Sequence, residues 1–192
     1  MAKVNIIINC HNGERYLQQT LDSIQRQTYA DYEIIFWDNC STDATPEIAR
    51  RFGERLRYYR GERFVTLGEA RNLALEKAEA PYIAFADSDD LWKPEKLQKQ
   101  VEVMEQNPQC GLSFTGFIRW NEERNEKKPG IGHPLPPFLS FDDFLCNYNY
   151  SLSSFLIRRQ ALGDFRFDTR LNYAEEYDLF CKIVHSRQAA YL

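Results

Sequence analysis

Over residues 1–110, short β-branched and aromatic runs alternate with helix-patterned segments, and no other feature restricts the fold as tightly. Apolar runs at residues 4–8, 32–37, 56–59 and 82–86 read as strands buried on both faces. Between the first two, Leu17, Leu21 and Ile24 recur at helical spacing, which predicts a helix over residues 13–28 with Asn12 as its cap. Pro46 behind Thr45 opens a second helix. Thr66 and Glu69 have capping-box spacing ahead of a third, running to about Glu79, and Pro94 starts a fourth carrying Leu97, Val101 and Met104. The βαβαβαβα order implies an α/β fold with a doubly wound, mainly parallel sheet and helices on both faces. Ligands of such sheets sit beyond the carboxyl ends of the strands.

After Cys110 the texture changes. Residues 112–120 read as one strand, residues 121–128 as a solvated surface excursion, and a run of prolines and glycines follows. Ser140 with Asp143 predicts a short capped helix, residues 153–158 a strand, and residues 174–184 a helix turning Leu179, Phe180 and Ile183 inward. The last residues, Ala189 to Leu192, look like the beginning of a strand, so a further C-terminal piece is expected.

With 192 residues the chain can bury a substantial core as one domain. Its net charge of −4 supplies no positive field for a nucleic-acid backbone, so nucleic acid is excluded as a partner. The five cysteines are widely spaced with no CxxC pair, which suits a reducing compartment and buried thiols rather than zinc or disulfides. No segment resembles a signal peptide or a membrane span, so a cytoplasmic location is expected.

Three polar clusters fall at successive strand ends: Asn9 to Asn12, Asp38 to Asp43, and Asp87 to Asp90. A parallel sheet collects them on one edge. A turn or cap role describes the second cluster as well as a ligand role does. The third holds three carboxylates in four residues, which repel one another unless a cation neutralises them. Oxygen ligands on a short turn suit Mg²⁺ or Mn²⁺ with substrate phosphates completing the shell. Neither GxxxxGK[ST] nor a strand-linked GxGxxG is present, so phosphate charge falls to metal and Arg71, although spacing alone makes Arg71 an ordinary helix-surface residue.

These residues carry a resemblance. VNIIINCHNGERYL at 4–17, LDSIQRQTY at 21–29 and EIIFWDNCSTD at 33–43 resemble the opening of the family 2 nucleotide-sugar glycosyltransferases, which have the GT-A fold. GEARN at 68–72 resembles their arginine-bearing helix, residues 82–94 their DxD strand end, and AEEYDL at 174–179 their late acidic motif. The resemblance implies an inverting, hexosyltransferase-like, metal-dependent enzyme of polysaccharide biosynthesis. Residues 1–110 would bind the nucleotide-sugar donor and residues 111–192 would form the acceptor side of the same domain. Asp38 would contact the base, Arg71 the nucleotide, and Asp87 and Asp89 the ribose and the metal, Mn²⁺ or Mg²⁺. Asn9, His11, Asn12 and Ser88 would lie beside the nucleotide, with Asn9 and His11 replacing the family's usual proline and tyrosine. Glu176 would be the catalytic base, with Glu175 the alternative, because the family usually has Glu-Asp here. The acceptor would be a saccharide or lipid-linked molecule, with peripheral association at the inner face of a membrane.

The other histidines, His133 and His185, are too scattered to form a metal site with His11. Trp92, Trp120, Tyr148 and Tyr150 could wall a sugar, though for any one of them core packing is the better reading. Three competing readings remain open: a haloacid-dehalogenase-like phosphatase, which expects Thr or Val where Leu91 stands; a nucleotidyltransferase, which expects a glycine-rich basic loop after the first strand; and a nucleotide-sugar-binding module without catalysis.

Overall fold

A computed structural model describes residues 2–146, 149–171 and 173–192. Strands β1 (Val4–Cys10), β2 (Tyr32–Asp38), β3 (Leu56–Arg60) and β4 (Tyr82–Asp87) alternate with helices α1 (Leu17–Gln25), α2 (Thr45–Arg50), α3 (Leu67–Leu75) and α4 (Lys96–Gln106). Strands β5 (Cys110–Phe114), β6 (Ile118–Asn121), β7 (Glu126–Pro129), β8 (Phe138–Leu139), β9 (Phe155–Arg158) and β10 (Gln188–Tyr191) follow, with helices α5 (Phe141–Leu145), α6 (Arg159–Leu162) and α7 (Glu175–Ser186) among them. Eight strands form one sheet in the order β3-β2-β1-β4-β9-β5-β10-β8. The first four are mutually parallel, as is β5 with β10, whereas β9 runs antiparallel to both neighbours.

The period-two alternation of side chains divides the core into two layers. Ile6, Ile8, Ile34, Phe36 and Ala84 pack with Leu17, Leu21, Leu97, Val101 and Met104, so α1 and α4 cover one face. Ile7, Ile35, Ile83 and Phe85 pack with Ala70, Ala74, Leu179, Phe180 and Ile183, so α3 and α7 cover the other. This is the doubly wound arrangement the alternation implies. The register sets Asn9 opposite Asp87 and Cys10 opposite Asp38, which brings the three polar clusters to one sheet edge.

Four local expectations are corrected. Asn12 does not cap α1: it has φ of 53° and its Oδ1 accepts from the Thr42 N–H at 2.8 Å, while α1 begins only at Leu17. The amides of Gly13 and Glu14 donate instead to Thr45 Oγ1 and Asp43 Oδ2 on the neighbouring loop. α3 keeps its Thr66 cap but stops at Leu75. The single strand over 112–120 is two, because β5 leaves the sheet after Phe114 and burial gives way to exposure. The charged excursion is a β-hairpin, β6 with β7, in which Lys127 lies 4.6 Å from the centre of the Trp120 ring opposite it. The capped helix at Ser140 forms with its full capping box, and Ala189 and Ala190 lie buried in β10.

Candidate active site

Asp38 ends β2 with no exposed surface. Its Oδ1 accepts from the Ser41 N–H at 2.7 Å, and its Oδ2 from Tyr58 at 2.5 Å and Arg60 Nη1 at 2.7 Å. Burial alone would push this carboxyl up, but the hydrogen bonds from Tyr58 and Ser41 and the charge of Arg60 outweigh it and hold the pKa below the ordinary 3.8. Arg60 also donates to Ser41 O at 2.9 Å, so Asp38 fixes the shape of the loop behind it. Asp38→Asn turns an amide donor toward Tyr58 and Arg60, and the expected cost is roughly 1–3 kcal/mol in urea denaturation at pH 7. Because the folded pKa is lowered, this contribution is complete above the unfolded pKa and fades as pH falls through the folded one. An unchanged midpoint at pH 7 would show that the carboxylate does not hold the loop.

His11 and Asn12 occupy the β1 loop. His11 Nδ1 lies 2.8 Å from Asn39 O, and its ring meets exposed Phe64 edge-on at 4.7 Å. Asn9 points to the α3 side, where its Nδ2 is buried without a hydrogen-bond partner. At the end of β4, the Asp87 N–H donates to Ser153 Oγ at 2.9 Å and Ser88 O accepts from Thr20 Oγ1 at 2.9 Å. These two bonds pin the acidic turn between β9's approach and α1.

Arg71 is the centre of the edge. It is 5% exposed rather than solvated, which corrects the surface reading. Its Nη1 donates to Glu175 Oε1 at 2.7 Å and lies 3.6 Å from Glu176 Oε2, while Nη2 lies 3.5 Å from Asp87 Oδ1. The Arg71 guanidinium also lies 5.5 Å from the centre of the Phe167 ring. Ala174 turns the chain into α7 with φ of 62°, and both glutamates of the first turn then approach Arg71. Glu175 is 5% exposed, whereas the Glu176 side chain keeps 30% of its surface. Asp178 pairs with Lys182 along the helix at 2.5 Å and takes no part.

Asp87 is pushed up to about 6 by burial, a shift that Arg71 opposes and that Asp90, Asp89 and Glu176 reinforce. Asp90 is raised by burial too, against a hydrogen bond from Ser153. Excess negative charge of this kind is relieved by a cation. Among the described residues no three His, Cys, Asp or Glu side chains form a ready-made metal cage, and Asp89 has neither a hydrogen-bond nor an ion-pair partner. Two hard carboxylates with open positions fit a divalent ion whose remaining ligands come from a bound phosphate.

A cleft of about 920 Å³ opens from Asp89 and Asp90 toward the β6–β7 hairpin, lined by Trp92 and Trp120 among others. Tyr150 packs against Phe144 and Phe114 as core, and Tyr148 lies outside the described residues. The histidines stay apart, His133 beside Pro134 O and His185 against Phe141. Sequence reasoning missed Arg60 and Ser153, which no motif marks, and Lys96, whose burial a pattern of exposed helix lysines conceals.

Among the described residues no helix is long and apolar enough to cross a membrane. The family model for glycosyl transferase family 2 matches residues 5–166. A Bacillus subtilis (strain 168) protein, "Putative teichuronic acid biosynthesis glycosyltransferase TuaG", is 34% identical over 169 residues, covering 83% of this chain and 64% of its own length. The Escherichia coli UDP-Glc:alpha-D-GlcNAc-diphosphoundecaprenol beta-1,3-glucosyltransferase WfgD is 28% identical over 183 residues, covering 94% and 69%. S. aureus TarS in complex with UDP-GlcNAc superposes with a TM-score of 0.81 at 22% identity, over 99% of this chain and 56% of that one. The Pyrobaculum calidifontis mannosyltransferase PcManGT, solved with GDP-Man and Mn2+, gives 0.76 at 19%, over 100% and 55%. The chain thus has the GT-A fold and belongs to glycosyl transferase family 2.

Proposed function

We propose that the chain carries out metal-dependent, inverting transfer of a hexosyl group from a nucleoside diphosphate sugar to an acceptor hydroxyl. The observation that carries this reading is Arg71, which lies 3.5 Å from Asp87 of the acidic turn and 2.7 Å and 3.6 Å from Glu175 and Glu176. One cation thereby sets a candidate base beside the carboxylates that suit a metal and a diphosphate. Residues 1–110 take the donor: Asn9, His11 and Asn12 from the first loop, Asp38 with its loop at the base, and Arg71, Asp87 and Ser88 along the nucleotide. Asp87 and Asp89 hold Mg²⁺ or Mn²⁺. Residues 111–192 supply the acceptor side and the base.

Glu176, the more exposed glutamate, takes the proton of the acceptor hydroxyl as its oxygen bonds to the anomeric carbon. The bond from that carbon to the diphosphate oxygen breaks on the opposite face, its electron pair leaves with the nucleotide, and configuration inverts. A divalent ion, when bound, supplies Lewis-acid stabilisation of the departing diphosphate. Arg71 offsets part of the same charge and keeps Glu175 from competing as base. The similarity to WfgD, a glucosyltransferase named for a diphosphoundecaprenol-linked sugar, supports a saccharide or lipid-linked acceptor and action at a membrane face. The similarity to TarS in complex with UDP-GlcNAc and to PcManGT in complex with GDP-Man and Mn2+ supports a nucleotide-sugar donor with a divalent ion.

A thermal-shift screen of UDP, GDP and their sugars with and without Mn²⁺ tests the donor half, because a ligand of the folded state raises the melting temperature. Asp89→Asn should then remove the Mn²⁺ dependence of nucleotide binding in calorimetry and lower affinity at least tenfold. Unchanged affinity with an unchanged metal requirement would remove Asp89 from the metal site.

A further inference from the structure

Lys96 opens α4 and is 8% exposed, yet no carboxylate among the described residues lies within ion-pairing distance of it. An ammonium group has three protons to donate. One goes to Gln100 Oε1 at 2.8 Å, and the group sits 3.9 Å from the centre of the Trp92 ring. Gln100 has no freedom to turn away, since its amide nitrogen donates to Ser113 O at 3.1 Å and Ser154 O at 2.9 Å. Burial pushes the Lys96 amine down to about 7, a cost that a counter-ion would remove.

Trp92 adds a second, independent anomaly. It is 7% exposed, and its Nε1–H is buried with no acceptor. A buried donor without a partner is costly and calls for an explanation. Both residues line the 920 Å³ cleft that begins at Asp89 and Asp90. Glu95 binds Lys99 at 2.7 Å and Glu122 takes the Tyr16 hydroxyl at 2.9 Å, while Lys93 and Lys127, which line the cleft without a carboxylate partner among the described residues, are exposed, so Lys96 is the buried cation of the wall. The cleft is thus acidic at the end facing the candidate transfer site and holds an unmatched cation and an unmatched N–H farther along its wall.

We propose that Lys96 and Trp92 form an anion subsite in this cleft, and that the acceptor carries an acidic group, a phosphate or a carboxylate, which it seats there. This deepens the glycosyltransferase reading and rests on it for the word acceptor. The anion accepts from the ammonium, and a small shift of the Trp92 ring, whose N–H is shut off from solvent, would bring that second donor onto it. A charge-matched anchor at one point of the cleft fixes the distance from the acidic group to the hydroxyl offered at the other end. Selection among acceptors then depends on where the acidic group sits relative to that hydroxyl.

Two-dimensional ¹H–¹⁵N spectra of the three tryptophan indoles, assigned with Trp92→Phe, supply the test. Methyl glucuronide, phenyl phosphate and neutral methyl glucoside are titrated at fixed ionic strength into the chain saturated with UDP and Mg²⁺, and again without nucleotide. The expected result is a saturable shift of the Trp92 Nε1–H with an anion and none with methyl glucoside. The probe that binds tighter distinguishes phosphate from carboxylate. Lys96→Met, which preserves volume, should weaken the anion at least tenfold while raising the melting temperature. No saturable shift, an equal shift with methyl glucoside, or an unchanged midpoint in Lys96→Met would overturn the subsite. So would a lower melting temperature in that variant, since it would make Lys96 a structural cation. If no nucleotide stabilises the chain, the donor reading fails, while the nucleotide-free titration still judges the subsite on its own terms.

Discussion

Glu176→Gln is expected to lower the rate of sugar transfer by about 10²–10⁴-fold, the span that a positioned general base contributes, with nucleotide affinity held within about twofold. The amide keeps the shape of the side chain and cannot accept a proton at neutral pH. Glu175→Gln should behave differently. Glu175 is buried against Arg71 at 2.7 Å, so an acceptor hydroxyl cannot reach it without breaking that pair. Its replacement should disturb Arg71, and therefore nucleotide affinity, before it disturbs chemistry. Steady-state kinetics on both variants, with calorimetry of UDP, separates the roles. Transfer retained within tenfold in Glu176→Gln, together with loss in Glu175→Gln, would move the base to Glu175 and overturn the assignment. Donor binding without turnover in the wild-type chain would instead favour a binding module.

Much of the frame was legible because it depends on periodicity. The double-sided burial of β1, β2 and β4 follows from runs such as Ile6, Ile7 and Ile8, and the convergence of the three polar clusters follows from parallel pairing. Caps were legible where the capping side chain is local, as at Thr66 and Ser140, and failed at Asn12, where the partner loop is about 30 residues away. The antiparallel insertion of β9 between β4 and β5 has no local signature, because its neighbours are fixed by long-range pairing rather than by its own residues. The same limit applies in the site. An acidic turn announces itself through its charge, but the burial of Arg71 comes from α7 packing onto α3's side of the sheet more than 100 residues later. Lys96 was hidden for a related reason: an amphipathic helix normally places lysine on its wet face, and this one falls on the buried stripe with Leu97, Gln100 and Met104.

Arg71→Met is expected to cost about 3–5 kcal/mol of stability, the usual penalty for stranding one partner of a buried ion pair, and to lower the melting temperature by roughly 6–20 °C. The size follows from what is left behind: Glu175 stays buried without its cation, and Asp87 and Glu176 lose the one positive group paired with them among the described residues. Glu175→Gln should cost less, because Arg71 keeps two carboxylates and the amide can still accept a hydrogen bond. Arg71→Lys should recover little, since a single ammonium cannot span three carboxylates as a planar guanidinium does. The informative variant is the double change Arg71→Met with Glu175→Met. Replacing both charges by apolar groups of similar volume should restore most of the stability lost in Arg71→Met, yet leave nucleotide binding weak, because the cation that faces Asp87 is gone. Urea denaturation and UDP calorimetry on the wild-type chain and these four variants measure both effects. A loss below about 1 kcal/mol in Arg71→Met would mean the pair is solvated. Full recovery of nucleotide affinity in the double variant would mean that Arg71 serves the fold alone, and the link between the acidic turn and the candidate base would have no part in the reaction.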